Sequence, residues 1–204
     1  MSLHHPYDDT LARYAAGRLG AGPSLVIATH LAGCAECRAR VGLFEAAGGA
    51  LLEEAPAASV RPDLFAAALR RIEEIAPPAP SPRHASPLDA IALPPWRRIG
   101  SGFQWRRLRL DYAPDANVIM LKVAPGGKLP HHTHRGTEYT QIIQGGFHDE
   151  FGRYVAGDCI EADDEVVHQP LVDSDVDCIC LAAFDGRLRL QGFFGRLLQP
   201  LLGI

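Results

Sequence analysis

The chain changes its hydrophobic period once. Through roughly the first third, apolar residues recur every three or four positions, as on one face of an α-helix. Beyond residue 88 they alternate with polar residues in short runs broken by glycine and proline, as in β-strands. The first period predicts four helices. Asp8 or Asp9 caps the first, whose Leu11, Tyr14, Ala15 and Leu19 share a face, and Gly20-Ala21-Gly22-Pro23 ends it. The second begins near Ser24, carries His30 and stops at Gly33. The third runs over about 34–54 through Val41, Phe44, Gly48 and Leu51, and Pro62 opens a fourth over 63–75. Leu64, Phe65, Ala68, Leu69, Ile72 and Ile75 give that fourth helix a wide apolar stripe. Either it packs back on the other three or it belongs to a partner protein.

The second period predicts strands over 118–123, 139–144, 154–156 and 178–182, in an all-β sandwich or barrel. Between the two periods lies a stretch with Pro77, Pro78, Pro80, Pro82 and Pro87, too proline-rich for helix or central strand. The expected fold class is therefore α+β in two separate domains: an all-α bundle over 1–76, a linker over 77–87 and an all-β domain over 88–204. His84 falls in the linker and is given no role. The apolar run 197–204 is expected to dock on a barrel edge or the linker rather than fray.

Composition narrows the classes. The net charge of −4 and the absence of a basic stripe in either half argue against direct nucleic-acid binding, which draws most of its non-specific affinity from Lys and Arg on phosphate. No apolar run approaches the roughly 20 residues that span a bilayer, and a basic segment followed by an apolar one is missing at the start. Five cysteines are an odd number, unlike a disulfide framework, and a reducing cytoplasm is the expected compartment.

Two residue clusters carry metal chemistry. His30, Cys34 and Cys37 stand at H-x3-C-x2-C spacing, and an imidazole with two thiols suits tetrahedral zinc. His4 and His5 are the candidates for a fourth ligand, with His5 preferred. Four protein ligands leave no open position, so such a zinc is structural, and it staples a bundle of about 75 residues that buries only a small core. The bland alternative is two buried cysteines and a surface histidine. In the second cluster, His132 and His134 are two apart and point to one side of a strand while His131 points to the other. Glu138 returns after a short turn and His168 arrives from a later strand. Three imidazoles and a carboxylate suit zinc, iron or manganese. His148 is expected to be a plain strand residue. Cys178 and Cys180 share a strand face and, with Cys159, are expected to be inert buried thiols, the alternative being that Cys178 and Cys180, like His132, His134 and His168, are groups an oxidant attacks.

Gly126-x5-His132-x-His134-x3-Glu138-x6-Gly145 matches the first motif of the cupin superfamily, a jelly-roll barrel, position for position. Gly157 and His168 fit its second motif, while Asp163, Glu165 and Val172 replace the usual Pro, Gly and Asn. The whole arrangement resembles the zinc-dependent anti-sigma factors of the ChrR type, with further likeness in Tyr14-Ala15-Ala16-Gly17, Ala28-Thr29-His30-Leu31 and Asp177-Cys178-Ile179-Cys180-Leu181. That resemblance implies a non-enzymatic protein. Its N-terminal zinc domain would clasp an extracytoplasmic-function sigma factor one to one. Its cupin, also a zinc domain, would be needed for release by singlet oxygen and organic peroxides. The competing reading is a cupin metalloenzyme, a dioxygenase or isomerase, with an accessory zinc module.

Overall fold

A computed structural model describes residues 2–75, 85–185 and 187–190, with side chains for all of these except 134, 135 and 187–190. The prolines at 77–82, His84 and the run 197–204 lie outside the described residues. The helices are α1 (Asp8–Ala15), α2 (Ala21–Gly33), α3 (Ala35–Glu53) and α4 (Leu64–Glu74), and a short 3-10 turn follows at Pro87–Ala90.

Three boundaries differ from the expected ones. Tyr7, not an aspartate, is the N-cap of α1; Asp8 and Asp9 fill its first turn, where negative charge meets the positive end of the helix dipole. Helix α1 ends at Ala15, and Gly17 at φ 63° turns the chain away, so Leu19 is buried from the connection rather than from the helix. Helix α2 starts at Ala21 instead of Ser24, because Pro23 sits in its first turn, where a missing N–H leaves no bond unmade.

The described residues contain ten strands: β1 (Arg97–Ile99), β2 (Phe103–Leu110), β3 (Ala113–Val123), β4 (His132–Arg135), β5 (Glu138–Gln144), β6 (Gly146–His148), β7 (Arg153–Val155), β8 (Cys159–Ala162), β9 (Cys178–Phe184) and β10 (Arg187–Leu190). Six form an antiparallel sheet in the order β1-β2-β3-β9-β5-β8, while β10 pairs with β4 and β6 with β7. Strand alternation divides the sheet's side chains. Ile119, Ile142, Cys178, Cys180, Ala182 and Phe184 pack in apolar clusters on one face. Leu108, Val118, Met120, Tyr139, Leu181 and Ala183 take the other face and join Leu25, Val26 and Ile27 of α2 in one core.

Helix α2 thus lies on the sheet, which explains why three consecutive residues of it are buried and why it has no single apolar stripe. Gly22 permits the approach: a Cβ there would meet Val118 Cγ2 at 3.1 Å and Ala183 Cβ at 3.2 Å. The segment before α1 is tied along β8. Asp158 accepts from the backbone N–H of Leu3 at 2.7 Å and of His4 at 3.2 Å, and the Cys159 N–H donates to the His4 carbonyl at 3.0 Å. Glu161 then accepts from Tyr7 N–H and the Thr10 hydroxyl, both at 2.8 Å. Helix α4 has no buried residue, and Leu64, Phe65, Leu69, Ile72 and Ile75 are all exposed. Of the two fates expected for its stripe, packing back on the other helices is not what the chain does.

Two candidate metal centres

The N-terminal cluster is assembled from three pieces. His5 comes from the segment held along β8, His30 from the last turn of α2, and Cys34 and Cys37 from the cap and first turn of α3. One ligand atom from each of the four lies within 4.8 Å of the others. Cys34 is the α3 N-cap, its sulfur accepting the Cys37 backbone N–H at 3.5 Å, which turns both thiols to one point. His5 Nδ1 is 3.5 Å from Cys34 Sγ and 3.3 Å from Cys37 Sγ. His30 Nε2 is buried with no hydrogen-bond partner among the described residues. A buried imidazole nitrogen left unpaired is costly, and a cation at the centre removes that cost.

The electrostatics agree. Burial, reinforced by the bond and charge of Cys34, pushes the Cys37 thiol up to about 12, so without a cation the Cys37 sulfur stays protonated. Burial also pushes the His30 imidazole down, which keeps it neutral as a ligand must be. Two thiols and two imidazoles fit zinc, which when bound would hold the sulfurs as thiolates and cross-link three chain segments. His4, the other candidate, faces away: its Nδ1 is 3.0 Å from Asp158 Oδ2.

In the barrel, one ligand atom each from His132, Glu138 and His168 falls within the same 4.8 Å limit. His132 on β4 and His168 form an isolated antiparallel bridge, and Glu138 opens β5. The strand β4 also carries His134, whose side chain is outside the described residues. The two described imidazoles are oriented from behind. His132 Nδ1 lies 2.9 Å from the Pro130 carbonyl and His168 Nδ1 lies 2.8 Å from Asp149 Oδ2, so both Nδ1 atoms are donors. Their Nε2 lone pairs then confront one another 3.0 Å apart. Two acceptors at that separation repel unless a cation or proton lies between them, and this supports a metal fit. Burial raises Asp149, but its bonds to His168, Phe151 and Gly152 outweigh that and hold its carboxyl below the ordinary value. It stays charged as the support of His168. The Thr140 hydroxyl donates to Glu138 Oε1 at 2.8 Å.

Gln141, Asp149, Thr140 and Asp158 have no counterpart in the sequence reading. Except for Thr140, two positions from Glu138, each acts on a residue that no short-range spacing connects to it; Gln141 Oε1 meets His30 Nδ1 at 2.9 Å across 111 positions. Of the four, Thr140 is the one that stands beside its ligand in sequence, two positions after Glu138. His148 sits on β6 beside Asp173 at 3.4 Å, away from the cluster. Burial pushes the Cys178 thiol up to about 11 and those of Cys159 and Cys180 well above the ordinary value, which suppresses thiolate chemistry at all three.

The family model of the ChrR cupin-like domain matches residues 89–186. The anti-sigma-E factor ChrR of Cereibacter sphaeroides is 40% identical over 211 residues, covering 98% of this chain and 98% of that protein. The crystal structure of Rhodobacter sphaeroides SigE in complex with the anti-sigma ChrR matches with a TM-score of 0.76 and 37% identity, over 89% of this chain and 98% of that one. With likeness of this order along nearly its whole length, the chain belongs to the ChrR family of anti-sigma factors.

Proposed function

We propose that this chain sequesters an extracytoplasmic-function sigma factor in the cytoplasm as a one-to-one complex, with α4 and the neighbouring exposed end of α3 as the clasp. The observation that carries this reading is the apolar stripe of α4, on which Phe65 is 75% exposed and Ile72 67% exposed in a helix with no buried residue. A stripe of that kind is a docking face. Inhibition is occlusion, and it needs no catalytic group. The related ChrR is an anti-sigma-E factor, and its solved complex with SigE supports the same partner class here.

Zinc at His5, His30, Cys34 and Cys37 fixes where α3 starts relative to α1 and α2, and so where the clasp is presented. A second divalent metal, zinc by family, is held at His132, His134, Glu138 and His168. The barrel is the part needed for release under oxidative stress by singlet oxygen or organic peroxide. Release requires an oxidant to change the relative stability of bound and free states. Because the thiols of Cys178 and Cys180 are buried and protonated, the metal-bound imidazoles are the better targets. The dioxygenase or isomerase reading has only the barrel's metal set in its favour and leaves the exposed α4 stripe without a purpose. The test is transcription in vitro by core RNA polymerase and the sigma factor. Added zinc-loaded chain should silence the promoter at equimolar ratio, and undiminished transcription overturns the reading.

A further inference from the structure

Gln141 lies on the face of β5 turned towards α2 and is 4% exposed. Its amide orientation is set by a second contact, in which Nε2 donates to the Ile142 carbonyl at 2.9 Å. Oε1 is therefore the atom that faces His30 Nδ1 at 2.9 Å. An amide oxygen only accepts, so His30 carries its proton on Nδ1 and presents the Nε2 lone pair to the cluster of His5, Cys34 and Cys37. We propose that Gln141 is a positioning residue for the N-terminal zinc: the barrel, through β5, sets the tautomer and ring orientation of His30. The inference rests on the zinc reading above.

Imidazole ligands ordinarily donate their second N–H to a carboxylate, carbonyl or water close by. Here the acceptor comes from the other part of the molecule, 111 residues away. Strand parity makes the arrangement more consequential. Glu138 and Thr140 take the barrel-facing side of β5, and Gln141 takes the opposite side. One strand therefore carries a ligand of the second cluster on one face and the support of the first on the other. The barrel does not merely hang from the zinc bundle; it completes the bundle's ligand geometry, and β5 links Glu138 to His30 through the Gln141 hydrogen bond.

The test uses the full chain. Gln141→Met keeps the side chain's length and volume and removes the acceptor, whereas Gln141→Glu keeps an acceptor. The expected result is a loss of about 10–100-fold in zinc affinity for Gln141→Met, the usual effect of removing a support behind a ligating histidine, and near wild-type affinity for Gln141→Glu. Cobalt substitution should show a weakened thiolate-to-metal band in Gln141→Met alone. Helical content and metal bound by the barrel should be the same in all three proteins. An unchanged band and affinity in Gln141→Met overturns the inference. A wild-type chain with no thiolate-to-cobalt band overturns the zinc reading instead. Nitrogen-15 imidazole spectra of the wild-type zinc form give a check independent of any variant: the proton must sit on His30 Nδ1, and a proton on Nε2 refutes the proposal.

Discussion

Replacing Phe65 and Ile72 together by alanine separates the clasp from the fold. Both side chains are largely in solvent, at 75% and 67% exposure, so their loss removes almost nothing from the core. Exposed positions of this kind move folding stability by about 0.5 kcal/mol or less, and alanine favours the helix. In the complex the same atoms are buried. Full burial of such a side chain is worth about 1.5–3 kcal/mol. Because about a quarter to a third of each is already covered, roughly 1–2 kcal/mol per residue remains to be gained on binding. The pair should weaken sigma-factor binding by about 2–4 kcal/mol, or about 30- to 700-fold in Kd. Titration calorimetry with the sigma factor measures it, and circular dichroism confirms that α4 and the fold persist. Arg70→Ala, also exposed on α4, is the control and should change Kd less than about threefold, since rim charges contribute little. A double variant that binds as tightly as the wild type refutes the placement of the clasp on α4.

Three further outcomes are expected. Cys34→Ser with Cys37→Ser should lower bound metal by one equivalent while the barrel keeps its own. With free zinc at a hundred times Kd, the wild-type chain's advantage is about 2.7 kcal/mol, or about 5–10 °C in Tm for a chain of this size, and a smaller difference by calorimetric scan counts against a structural zinc. Asp149→Asn should weaken barrel metal binding by about 10–100-fold in a competition titration while leaving the N-terminal zinc unaffected. Asp158→Asn should destabilise the chain by about 2–3 kcal/mol in urea, because the buried carboxylate accepts from Leu3, His4 and Val155 and an amide replaces only part of that set. Burial raises the Asp158 carboxyl, but the bonds from Val155, His4 and Leu3 outweigh it and leave the folded-state value below the ordinary one. Its contribution is therefore complete above the ordinary carboxylate value and fades as pH falls through the folded value. The gap between wild type and Asp158→Asn should be constant near neutral pH and close in acid; a gap that widens in acid contradicts the assignment.

What was legible in the sequence was local. Helical period, strand alternation and the spacing of His30, Cys34 and Cys37 depend on neighbours within one or two turns, and the same holds for His132 and Glu138 around one strand turn. Helix α2 shows where locality fails. Its apolar residues face two ways because one side meets α1 and α3 and the other meets the sheet, and nothing in its own sequence says that a sheet waits there. Pro23 misled for a related reason: as punctuation it reads as an end, but in a first turn it is compatible with a beginning. The support of His30 by Gln141 and the tie of the N-terminal segment were invisible on the same grounds. Asp158 holds His4 across 154 positions, and its partners are fixed only once the N-terminal segment runs along β8. The exposed stripe of α4 was legible as a pattern, though its two possible fates were told apart only by the fold.

If the zinc bundle and α4 hold a sigma factor, the two proteins leave the cell together. The most direct measurement is purification of the tagged full chain from its own cells, followed by size-exclusion chromatography, mass spectrometry and metal analysis of the eluted species. The expected result is a one-to-one complex with an extracytoplasmic-function sigma factor that contains zinc and comes apart when the N-terminal zinc is chelated. A chain that elutes without a sigma factor, or a complex that survives complete loss of that zinc, contradicts it.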